Sequence, residues 1–148
     1  MEILQEFISY AGEFEKTLKD DDWSRLRRFF NDDAVYEVKA PSFGCRLVGP
    51  GAIFAGIKKS LDGFDRKFDG RDVQVTSGPE VEGEELRLGW EVKYKSEQLP
   101  TFVLRGRSLA RYRDGKIAYL SDLYEPSVQG DFDAWQRESG VKLDASYT

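Results

Sequence analysis

The sequence predicts an α+β fold with its helices first and its strands later. Three observations carry that reading. Apolar residues in the N-terminal part recur at helical spacings of three and four, whereas after Gly70 they recur at every second position. Hairpin signals join the later strands to one another, so the βαβ alternation of a parallel fold is missing. The chain has 148 residues, 40% of them hydrophobic and 33% charged, which suits one domain with a substantial core.

The elements follow in order. Ile3, Leu4, Phe7, Ile8, Ala11, Phe14 and Leu18 form the apolar stripe of a first helix. Asp20-Asp21-Asp22 ends it and offers an N-cap to a second helix, Trp23 to Phe30. The same three aspartates could in principle hold a metal, but capping explains them, and no metal site is expected. Asn31-Asp32-Asp33 stops the second helix before a short strand, Ala34 to Lys39. A loop through Pro41, Gly44 and Cys45 leads to Gly49-Pro50-Gly51, which opens a third helix. Its stripe is Ile53, Phe54, Ile57, Leu61 and Phe64.

Asp72 to Val81 reads as a strand broken near Gly78-Pro79. Glu85 to Ser96 alternates, with Leu86, Leu88, Trp90, Val92 and Tyr94 on one face. Thr101 to Arg113 alternates again and places Phe102, Leu104, Gly106, Ser108, Ala110 and Tyr112 together. Asp114-Gly115 marks a type I′ turn into a last strand, Lys116 to Glu125. A twisted antiparallel sheet is expected to pack one face on the helices. Beyond Pro126 lies a tail with one short helix, about Asp131 to Glu138, stopped by Gly140. The expected division is a domain over 1–126 and a tail over 127–148.

Composition narrows the chemistry. There is no histidine, which removes His-based nucleophile systems, His general bases and His-ligated zinc. Cys45 stands alone, so neither an internal disulfide nor a thiolate metal site is expected. The net charge of −5 argues against nucleic acid and, more weakly, against anionic membranes. No targeting segment or membrane-length apolar run appears, and a cytoplasmic location is expected. No cofactor is implied.

Several motifs, taken jointly, resemble the NTF2-like superfamily and its SnoaL-like subgroup. They are Leu18-Lys19-Asp20-Asp21-Asp22-Trp23, then Leu26 with Phe29-Phe30-Asn31-Asp32-Asp33-Ala34. Arg111-Tyr112-Arg113-Asp114-Gly115-Lys116-Ile117 and Leu123-Tyr124-Glu125 complete the set. The resemblance implies a cone: a curved sheet wrapped around helices, enclosing an apolar pocket and often dimeric through its outer sheet face. The superfamily spans isomerases, cyclases, dehydratases, epoxide hydrolases and domains without catalysis, so fold alone does not select a function.

Carried over position by position, the resemblance disfavours several of these chemistries. The tyrosine of the ketosteroid isomerases falls on Phe14, their base on Val38 and their second acid near Ser108. The histidines of scytalone dehydratase have no counterpart. The partner residues of limonene epoxide hydrolase fall nearest Arg87 and Glu91, on the polar strand face. The last-strand aspartate of the cyclases survives as Asp122. Leu120, Leu123 and Tyr124 beside it would desolvate the carboxyl and suit it to act as general base. Tyr36, Tyr94 or Ser108 would then hydrogen-bond a developing oxyanion. The other reading pairs Asp122 with an arginine or uses it as a turn cap.

Phe14, Tyr36, Val38, Trp90, Tyr94, Phe102 and Ser108 are the expected pocket positions, for a small apolar or aromatic ligand. A non-catalytic carrier or interaction domain, its pocket filled by its own aromatics, is the alternative. The small residues Gly106, Ser108 and Ala110 either admit a helix or leave room for a ligand. Arg105, Arg107, Arg111 and Arg113 share the outer face, where acids or a partner subunit would balance them.

Overall fold

The computed structural model describes residues 2–148. A first helix, α1 (Ile3–Asp20), leads through a 3₁₀ turn (Trp23–Phe29) into strand β1 (Phe30–Lys39). Strand β2 (Cys45–Val48) and helix α2 (Pro50–Gly63) follow. Four long strands come next: β3 (Gly70–Glu82), β4 (Glu85–Lys95), β5 (Phe102–Arg113) and β6 (Lys116–Tyr124). Helix α3 (Val128–Ser139) precedes an extended tail. The strands form one curved, unclosed sheet in the order β2-β1-β6-β5-β4-β3.

Local chemistry sets most boundaries. Asp21 takes a left-handed conformation at the end of α1, and the Asp22 carboxylate caps the next turn by accepting from the Ser24 N–H. Pro50 occupies the first turn of α2, where its missing N–H costs nothing. Asp114 and Gly115 both have positive φ, as a type I′ turn requires. Gly140 closes α3 in the left-handed region.

Three details depart from the sequence reading. The second helix is a 3₁₀ turn, and β1 starts earlier, at Phe30, with an irregular register before Val35. The loop through Cys45 contains a short edge strand, β2, paired antiparallel to β1. β1 lies parallel to β6, so the sheet is mixed while all its other pairs are antiparallel. That parallel pairing joins strands far apart in sequence, which no local hairpin signal can report.

Two buried clusters flank the concave face. One joins α1, α2 and β1 through Tyr10, Leu26, Phe30, Tyr36, Ile53 and Ile57. The other joins β4, β5 and α3 through Phe64, Tyr94, Phe102, Phe132 and Trp135. In the second, Phe64 stacks on Phe132 with ring centroids 5.6 Å apart, and the Trp135 indole N–H donates to Pro100 O at 2.9 Å. Burying each such side chain contributes roughly 1.5–3 kcal/mol. The tail then runs along α2: Ser60 Oγ donates to Ala145 O at 2.7 Å and Asp144 N–H to Gly63 O at 3.1 Å.

Candidate active site

Strand β6 carries Asp122 and, next but one, Tyr124 on its inner face. The register sets Asp122 opposite Ser108 of β5 on one side and Val38 of β1 on the other. Ser108 Oγ donates to Asp122 Oδ1 at 2.6 Å, and Tyr36 OH donates to Oδ2 at 2.6 Å. Trp90 Nε1 donates to Ser108 Oγ at 2.8 Å, so the serine's own proton is turned towards the carboxylate.

Gly106 makes that chain of bonds possible. A Cβ there would lie 2.7 Å from the Trp90 ring and 2.7 Å from Leu123 O. The absent side chain lets the indole come close against β5 and reach Ser108. The small-residue run is therefore, at Gly106, a seat for an aromatic ring.

No cation pairs with Asp122 among the described residues. Its carboxyl opens on an internal cavity and is otherwise ringed by protein. Burial raises its pKa above the ordinary aspartate value, and the bonds from Ser108 and Tyr36 only partly oppose the rise. The cavity has a volume of about 360 Å³, within the size range of small-molecule sites. Ile8, Val73 and Val75, respectively 54%, 50% and 51% exposed, line its open end between α1 and β3.

A second polar group lies on the same cavity wall system. Arg71 Nη1 donates to Asp65 Oδ2 at 2.9 Å, and Tyr94 OH donates to the same oxygen at 2.8 Å. Arg71 also pairs with Glu15 of α1 and lies over the Phe14 ring. Burial pushes the Asp65 carboxyl up, while Arg71 and Tyr94 pull it down. Asp65 is thus an ion-paired carboxyl, and Asp122 is held by neutral donors alone.

Of the positions expected from sequence, Phe14, Tyr36, Trp90, Tyr94, Ser108 and Asp122 line the cavity. Val38 and Phe102 lie outside it, in the adjoining core. Val38 is only 3% exposed within the β1 cluster, and the Phe102 ring is covered by Phe64, Phe132 and Trp135. Ser108, Tyr36 and Tyr94 each donate to a carboxylate, so none has its hydroxyl hydrogen free for an oxyanion. Sequence reasoning missed Asp65, Arg71 and Tyr147, and it gave Tyr124 only as a neighbour of Asp122 and not as a cavity hydroxyl. It also missed Tyr10, one turn before Phe14 on α1, whose side chain reaches the cavity. The helical spacing from Phe14 back to Tyr10 was the available signal.

Outside the cavity, Arg105 pairs with Glu91, Arg111 with Glu85 and Arg113 with Asp33. No helix among the described residues is long and apolar enough to cross a membrane.

The architecture is that of an NTF2-like cone. A profile for the SnoaL-like domain matches residues 11–120, and the chain belongs to that family, within the NTF2-like superfamily. A proposed isomerase from Bacillus subtilis superposes with a TM-score of 0.68 at 16% identity, over 97% of this chain and 100% of that one. An NTF2-like protein of unknown function from an Exiguobacterium species gives 0.60 at 20% identity, over 84% and 98%. A proposed polyketide cyclase from Pseudomonas putida gives 0.58 at 16% identity, over 84% and 92%. Comparison with curated proteins finds no match.

Proposed function

We propose that the domain binds a small, largely apolar carbonyl compound in the cavity and that Asp122 removes a proton from the carbon beside the carbonyl. That is the chemistry of an isomerase, cyclase or lyase. The observation that carries the reading is a desolvated carboxyl, held by two neutral donors without a cation, at the wall of an apolar cavity. Two hydrogen bonds leave lone pairs free on both carboxylate oxygens. A raised pKa brings the base nearer the acidity of its target.

The C–H bond breaks and its proton passes to Asp122. The electron pair forms a C=C bond while the carbonyl π pair moves onto oxygen, giving an enolate. Return of a proton to either end of the enolate system completes an exchange or an isomerisation. Phe14 and Trp90 supply apolar walls for the ligand body, and Tyr36 and Ser108 hold the base in place.

The probe is 2-tetralone in D₂O, followed by proton NMR. The protein should accelerate exchange of the α-protons, and Asp122→Asn should abolish the acceleration. Binding without acceleration in the unmodified protein would instead support the carrier reading. The same proposal sets a second copy of the chain on the outer sheet face, where Leu123 is 48% exposed among the arginines. It also sets the chain in the cytoplasm, where a lone thiol such as Cys45 stays reduced.

A further inference from the structure

We infer that Tyr147, brought in by the C-terminal tail, forms with Tyr124 the donor pair that binds the carbonyl oxygen of the ligand. The inference rests on the reading of Asp122 as base and adds the missing oxyanion side. Tyr10, Tyr36, Tyr94, Tyr124 and Tyr147 all line the cavity. Tyr36 is committed to Asp122 and Tyr94 to Asp65. Tyr124 OH and Tyr147 OH face each other at 3.4 Å. That exceeds the ~2.5–3.0 Å of a good O–H···O bond, so neither donor is well satisfied by the other. Tyr124 shares the inner face of β6 with Asp122, which sets the base and one donor on one wall, and the tail brings Tyr147 up to it.

The tail that carries Tyr147 has a built seat. A Cβ on Gly63 would overlap Asp144 O, and one on Gly56 would lie 3.0 Å from Tyr147 O. Ser60, between them on α2, donates to Ala145 O at 2.7 Å. These small residues let an irregular segment lie against the helix, and the Tyr147 ring then packs 5.9 Å from that of Tyr36. Burial, and next the Asp122 charge, push the Tyr147 phenol up to about 12. It therefore stays protonated and able to donate at neutral pH.

The test uses two probes, 2-tetralone and its carbonyl-free counterpart tetralin. Bound 2-tetralone should show a carbonyl stretch lowered from its value in an apolar solvent. Tyr147→Phe and Tyr124→Phe should each raise that stretch and slow α-proton exchange by roughly tenfold or more, with tetralin affinity unchanged. Gly63→Ala, whose Cβ would overlap Asp144 O and push the tail off α2, should act in the same direction. Tyr147→Phe keeps the ring and its packing, so the result does not depend on how Gly63→Ala folds. An unchanged stretch and rate in both phenylalanine variants would overturn the proposal, as would transfer of the whole effect to Tyr10→Phe. The base reading fails separately, if Asp122→Asn exchanges protons as fast as the unmodified protein.

Discussion

At the scale of single residues, Asp122 is governed by a competition between burial and hydrogen bonding. Burial favours the neutral acid, Ser108 and Tyr36 favour the carboxylate, and burial prevails. An unfolded aspartate titrates near ~3.9, and the folded one titrates higher. Below the unfolded value both states hold the proton, and the stability from this group is fully present. As pH rises through the window up to the folded value, the unfolded chain releases its proton first and stability falls. Asp122→Asn removes that dependence. Urea unfolding across acid to neutral pH should show the variant gaining on the unmodified protein as pH rises, reaching equal or greater stability at neutral pH. A variant that loses ground with rising pH would mean an ion-paired carboxylate instead.

At the scale of elements, β5 positions the site through what it lacks. Gly106 leaves the space the Trp90 ring occupies, and the ring's N–H then directs Ser108 towards Asp122. Gly106→Ala should force the indole off the strand and cost about 1–3 kcal/mol, the usual range for overpacking. Chemical denaturation would give the loss, and a shift in tryptophan emission would report the displaced ring. Loss below a few tenths of a kcal/mol would mean that the ring position is not fixed by this contact.

Much of this was legible in the residues. The stripe of α2, the alternation of β4 and β5 and the Asp114-Gly115 turn are local patterns, and period and turn chemistry report them directly. Asp122 could be picked out because Leu120 and Tyr124 share its strand face. Leu123, also expected to desolvate it, is 48% exposed on the opposite face, because adjacent strand residues point to opposite sides. Other features depended on distant partners. β2 is too short for its alternation to register, and its pairing depends on β1. Asp65 sits among the charges of Asp62, Arg66, Lys67 and Asp69, with no local pattern that marks it as buried. It is buried only because Arg71 and Tyr94 close over it. Tyr147 lies in a segment without periodicity, and only the space left by Gly56 and Gly63 brings it inward.

At the scale of the whole molecule, the cavity is what remains between two aromatic cores. α1 and α2 fill one side of the cone, and α3 fills the other with Phe132 and Trp135. Neither reaches the space in front of Asp122, so a polar group stands at the wall of an apolar chamber that stays open between α1 and β3. The ion pairs of the outer sheet face lie beyond the sheet, on its solvated side. The acidity of one carboxyl is therefore a property of the complete fold, because removing a wall would admit water and weaken the burial that raises it. A carbon-detected NMR titration of the Asp122 carboxyl, assigned by its loss in Asp122→Asn, measures that property most directly. A midpoint clearly above ~3.9 is the predicted result, and a midpoint at or below that value would contradict the account of Asp122 as a desolvated, unpaired base.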